Sequence, residues 1–180
     1  VLISIILGLG ITTILTGVAE FIKHPPSGSF YPPYGIWIVL VFVLHIQEWW
    51  ESYSLKNIDT WKLPMFLFII LYPIALYILA HLLFPGDLRK GISTKSFYLD
   101  NYPRIFICAI IMDVLGIVHN IFITGLPVED QAFQLVVLLT LSFMVISKNK
   151  NPTVHYIIAI VLIVIALVGL ALDRVSLLRA

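Results

Sequence analysis

Charge is what this chain has least of. Only 12% of its 180 residues are charged and the net charge is +1, against roughly 25% charged in soluble domains. With so few basic side chains and no basic stripe, nucleic acid is not an expected partner. Cysteine occurs once, at Cys108 within an apolar run, so no intrachain disulfide can form. Neither GxxxxGK[ST] nor GxGxxG occurs, and no loop has the motif for a nucleotide site. CxxC and HExxH are missing as well. No lysine falls inside an apolar run, which rules out a retinal Schiff base. Nor is any polar stretch long enough for a separate catalytic domain.

Apolar residues are what remains: 60% of the chain is hydrophobic. They form runs of about 20 residues, the length that crosses a hydrocarbon core roughly 30 Å thick. The predicted class is all-α, a polytopic integral membrane protein made of one six-transmembrane-helix bundle in the lipid bilayer. Its spans fall at about 1–22, 34–53, 61–84, 104–123, 131–147 and 153–172. No cleavable leader is recognisable ahead of the run that opens at Val1, which reads as the first span. Pro73, inside the third, removes a backbone donor and predicts a kink. The longest loop is expected between Leu88 and Arg104, with 96–103 lying at the membrane interface. No repeat relates the first three spans to the last three, so the inverted-repeat pattern of many transporters is absent.

Lysine and arginine set the expected orientation. Lys23, Arg89, Lys90, Lys95, Arg104, Lys148 and Lys150 fall on the side opposite Val1; Lys56, Lys62, Arg174 and Arg179 fall on the side of Val1. The positive-inside rule then predicts both termini in the periplasm and the richer side in the cytoplasm. Tyr31, Tyr34 and Trp37 mark one interface, and Trp49, Trp50, Tyr53 and Trp61 the other.

The stretch 37–53 departs most from this pattern. It begins as an apolar span and then presents His45, Gln47, Glu48 and Glu51. An ionisable group at membrane depth costs roughly 2.5–3.5 kcal/mol on insertion scales and faces a bundle interior or a water-filled cavity. Asp113, His119 and Asn120 in the fourth span reach similar depths, provided the second and fourth spans are neighbours. His45 and Glu48 are i, i+3 and share a face; Asp113 and Asn120, at i, i+7, also share one. His119 is expected about 120° away from Asp113 at 100° per residue, so one site cannot easily use both. Glu20, His81 and His155 form a second layer toward the other membrane face.

Four chemistries suit these residues. One is a structural polar network that pins helix packing. A second is a proton or ion path through carboxylates and imidazoles at successive depths. A third is a metal or haem site, since imidazole with carboxylate suits zinc or iron. A fourth is a metal-dependent intramembrane hydrolase. Cofactor identity is not specified by any of these residues. Gly10 and Gly17 in the first span and Ala159, Ala166 and Gly169 in the last form small-residue seams for close packing.

Gly8-Leu9-Gly10-Ile11-Thr12, Trp49-Trp50-Glu51, LYPIALYILAHLLFP at 71–85 and SFYLDNYPRIF at 96–106 resemble a family of small bacterial multi-span membrane proteins. That family shares a GLG-x-T opening, a paired-Trp segment and an LYP-xx-LY-x-LA third span. The likeness covers about the first 110 residues; Pro103 and the weaker basic run depart from it. It implies a bacterial inner membrane and transfers no functional residue.

The preferred expectation is a small proton- or ion-coupled transporter or channel using His45, Glu48 and Asp113, working as a homo-oligomer. The alternative is a non-catalytic sensor or partner subunit that docks a protein on the loop between Leu88 and Arg104. Enzyme activity ranks third. A water-accessible cavity reaching Glu48 or Asp113 separates the first from a dry, fully hydrogen-bonded cluster.

Overall fold

The computed structural model describes residues 1–26, 28–57, 61–86 and 93–177, with side chains to Val168. Leu88, Arg89, Lys90 and Arg179 lie outside the described residues, and the side chains of Gly169 and Arg174 do too. The helices are α1 (Leu2–Lys23), α2 (Pro32–Glu51), α3 (Leu63–Ile69), α4 (Leu71–Leu82), α5 (Thr94–Phe122), α6 (Ala132–Ser147) and α7 (Pro152–Leu177). Short 3-10 turns at Ser52–Asn57 and Val128–Gln131 follow α2 and precede α6. No strand occurs among the described residues, so the chain is an all-α bundle. Its helices stand as six columns, because α3 and α4 are two halves of one.

Among the described residues, four stretches are long and apolar enough to cross a membrane by length and composition: Leu2–Lys23, Leu63–Leu82, Thr94–Phe122 and Val128–Ser147. A shorter apolar helix covers Pro152–Val168. Outward faces carry the apolar residues a bilayer would solvate. On α6, Phe133, Val136, Leu139, Phe143 and Ile146 are all exposed, Ile146 by 80%. Surfaces this apolar are unusual on soluble monomers and are compatible with a membrane protein.

The centre is α2, which packs against α1, α4, α5 and α7. It starts two residues before the expected 34, on Pro32-Pro33 with Tyr31 as its cap, since proline is tolerated where no helical N–H is needed. The Tyr31 amide donates to Thr94 Oγ1 at 2.9 Å. The Tyr34 hydroxyl donates to the Leu83 carbonyl. The ends of α2, α4 and α5 are thus tied together at one pole. Lys23, Lys95, Lys148 and Lys150 belong to that same pole, where Lys150 pairs with Asp100 at 3.0 Å. At the small-residue seam of α1, Gly17 receives the Phe84 ring and Gly10 the His45 ring.

Pro73 breaks its column as expected. The interruption falls at Ile70, one residue past the Ile69 carbonyl that Pro73 cannot reach with an N–H. Pro103 does not break its own. The expected loop to Arg104 and the interfacial segment at 96–103 are corrected by α5, which begins at Thr94 and runs straight through Pro103. Tyr98, Tyr102 and Phe106, at i, i+4 and i+8, are buried in the core. Their rings surround the His155 imidazole at centroid distances of 5.3, 4.6 and 5.8 Å. An interior proline costs about 3 kcal/mol, whereas burying each such ring contributes about 1.5–3 kcal/mol. Three rings outweigh one proline.

Candidate functional site

One face of α2 carries Trp37, Leu40, Leu44, Gln47, Glu48 and Glu51, spaced by three and four residues as a helical stripe requires. Opposite it stand Met112, Asp113, Gly116, His119 and Asn120 of α5. Gln134 and Leu141 of α6 and Leu162 and Ala166 of α7 close the ring. Between them is a cavity of about 690 Å³. It follows the stripe from Trp37 to Glu51, about 21 Å at 1.5 Å per residue. At its outer end lie the exposed Glu51 and Asp130; further in lie the half-buried Glu48 and Asp113. Its lining therefore carries four carboxylates and one imidazole, and no lysine or arginine among the described residues. A low-dielectric cleft lined by one sign of charge concentrates ions of the other sign, in this case cations.

Asp113 is the most exacting member. Its Oδ2 is buried and has no hydrogen-bond partner among the described residues. A buried acceptor left unsatisfied costs about 1–3 kcal/mol, and a site that keeps one is suited to binding a donor. Around it the polar groups are organised by amides. Asn120 Nδ2 donates to Gln131 Oε1 at 2.8 Å and to Gln134 Oε1 at 3.1 Å, tying α5 to the start of α6. Gln47 Nε2 donates to Glu51 Oε1 at 3.0 Å. Gly116 leaves room for this, since a Cβ there would stand 3.0 Å from Gln134 Nε2. Gln131, Gln134, Tyr72 and Asp130 were not read from the sequence as site residues. The available signal was a pair of glutamines at i, i+3 opening an otherwise apolar helix.

The expected polar residues are redistributed by the packing. Glu48, Asp113, His119 and Asn120 come together on the cavity. The expectation that one site cannot use both Asp113 and His119 is corrected: the cavity wraps about a third of the circumference of α5, so both line it. His45 is separated from the group. Three residues turn 300° on a helix, which leaves His45 about 60° round α2 from Glu48. Its ring lies against Gly10 of α1 and is fully buried, not facing the fourth span. Because a carbonyl only accepts, His45 Nδ1–H donates to Val41 O at 2.7 Å. Nε2 is then a bare acceptor, buried without a partner among the described residues.

The second layer does not assemble either. Glu20 pairs locally with Lys23 at 3.1 Å and with His24 at 3.7 Å. The exposed His81 donates from Nδ1 to Tyr77 O at 3.2 Å and its ring lies against that of Tyr77, tilted by 58°. His155 is fully buried. Its Nε2–H donates to Asn149 O at 2.8 Å and its Nδ1 accepts from the Tyr98 hydroxyl at 3.1 Å. Both nitrogens are occupied, so this histidine anchors the α6–α7 turn, where Lys148 adopts φ 50°. His155→Phe is expected to strand the Tyr98 hydroxyl and lower stability by about 1–3 kcal/mol. The heat-unfolding midpoint in mild detergent checks this; an unchanged midpoint would show that water replaces the ring.

Metal chemistry finds no ready ligand set. Among the described residues no three His, Cys, Asp or Glu side chains converge closely enough to hold an ion. Cys108 is buried on α5, its Sγ donating to Ala75 O at 3.4 Å. Comparison with protein-family models, curated proteins and solved structures finds no match to this chain.

Proposed function

We propose that this chain is a six-span protein of a bacterial inner membrane that passes protons or another cation along the cavity between α2, α5, α6 and α7. The observation that carries the reading is the cavity itself, acid-lined and reaching a buried Asp113 oxygen without a partner among the described residues. Glu51 and Asp130 draw the cation to the mouth, and Glu48 and Asp113 take it inward. His119 and Asn120 complete the polar wall. Both His155 nitrogens are satisfied inside the bundle, whereas Asp113 Oδ2 lacks a partner among the described residues on the wall of a cavity that can admit a donor. The lysine-rich pole faces the cytoplasm on this reading and the cavity mouth faces the periplasm. The site is formed within one chain, so a homo-oligomer is not needed to complete it.

Purified protein in liposomes, with a pH-sensitive dye inside, tests the proposal. An imposed proton or sodium gradient should drive flux above that of empty liposomes. No flux under either gradient would return Glu48 and Asp113 to a packing role.

A further inference from the structure

The size and composition of the cavity bear on which cation it takes. A bare ion such as Ca²⁺ demands six to eight oxygens at about 2.3–2.6 Å, and among the described residues no three carboxylates converge to supply them. The space is instead about 690 Å³, inside the roughly 300–1,000 Å³ range of pockets for small organic molecules. Its two ends differ in chemistry. Carboxylates and amides occupy the part toward Glu51, while the half-buried Leu44, Ala109, Val137, Leu162 and Ala166 supply apolar walls. Trp37, Leu79 and Leu141, almost fully buried, close the floor.

We infer that the ligand of this cavity is an organic ammonium with an apolar body, its charge held between Glu48 and Asp113 and its body against the apolar walls at Leu162 and Ala166. The inference rests on the cation reading above and names its substrate class. An N–H of the ammonium supplies the donor that Asp113 Oδ2 lacks. Glu48, about one helical turn short of the mouth residue Glu51, supplies the opposing charge. The aromatic ring of Tyr72, beside Gly116 in the wall, suits a cation, whose charge is attracted to a ring face. An organic anion would meet four carboxylates and no lysine or arginine.

Ethidium, a permanent cation with a flat apolar body, serves as the probe. Titrated into purified protein in neutral detergent, it should show saturable fluorescence enhancement. Glu48→Gln should weaken that binding by at least about thirtyfold, since losing one partner of a buried charge pair costs 2 kcal/mol or more. Ala166→Trp, which fills the apolar half and leaves every carboxylate in place, should weaken it comparably. Glu20→Gln, on a carboxylate outside the cavity, should bind as the parent does. Circular dichroism and the heat-unfolding midpoint of each variant establish that it is folded, and Ala166→Leu serves if the Trp variant is not. No saturable binding, or binding indifferent to Glu48 and Ala166, overturns the organic-cation assignment. If the parent still carries proton flux in that case, the cation path stands without it. Glu48-dependent ethidium binding with no flux under any gradient keeps the ligand class and overturns transport.

Discussion

Glu48→Gln should reduce gradient-driven flux in liposomes by at least about thirtyfold and leave the fold unchanged. Glutamine preserves the volume and a hydrogen-bonding carbonyl but removes both the charge and the exchangeable carboxyl proton. If a bound cation loses about 2 kcal/mol from such a change, occupancy falls about thirtyfold at 1.4 kcal/mol per decade. Glu48→Leu should be equally inactive and no less stable, because replacing a half-buried carboxylate by an apolar side chain removes a desolvation cost. Asp113→Asn belongs to the same cavity and should show a loss that does not simply add to that of Glu48→Gln. Residues that share one ligand couple by about 0.5–3 kcal/mol. Flux assays of the two single variants and the double variant check this. Parent-like flux in Glu48→Gln would remove Glu48 from the path.

The largest structural effect is expected at Gly10. A Cβ at this position would fall inside the van der Waals envelope of the His45 imidazole. That ring is fully buried and fastened to Val41 O, so it cannot move aside without losing its hydrogen bond. Gly10→Ala should therefore destabilise by about 1–3 kcal/mol from overpacking, with a further cost of about 1 kcal/mol if the Val41 bond breaks. His45→Ala alone should cost about 2–4 kcal/mol through the cavity it leaves. In the double variant the new methyl group occupies part of that space, so the combined loss should be smaller than the sum of the two. Unfolding midpoints of the three variants in one detergent provide the comparison. Strict additivity would show that the ring of His45 does not fix the α1–α2 approach.

Local pattern carried much of this fold. Apolar runs of membrane length, ended by Lys23-His24-Pro25-Pro26, by Gly125 and Pro127, and by the turn before Pro152, placed five of the six columns within a few residues. Pro73 marked the broken one. Pro103 misled, because a local rule about proline could not foresee Tyr98, Tyr102 and Phe106 closing around His155, far along the chain on another helix. Helical spacing likewise showed which residues share a face, as with Asp113 and Asn120, but not how wide a face a neighbour would leave open.

What the sequence by itself determined was therefore the helical class, the approximate helix limits and the identity of the buried ionisable groups, since each follows from composition and period along one stretch of chain. Only the tertiary structure decided which of those groups meet. The rotation of α2 about its axis depends on Gly10 admitting His45, and that rotation puts Glu48 on the cavity that Asp113 also lines while closing His45 against α1. Whether polar residues on separate helices form one cavity or several satisfied pairs is set by interhelical packing, and packing is not written in the period of any single helix.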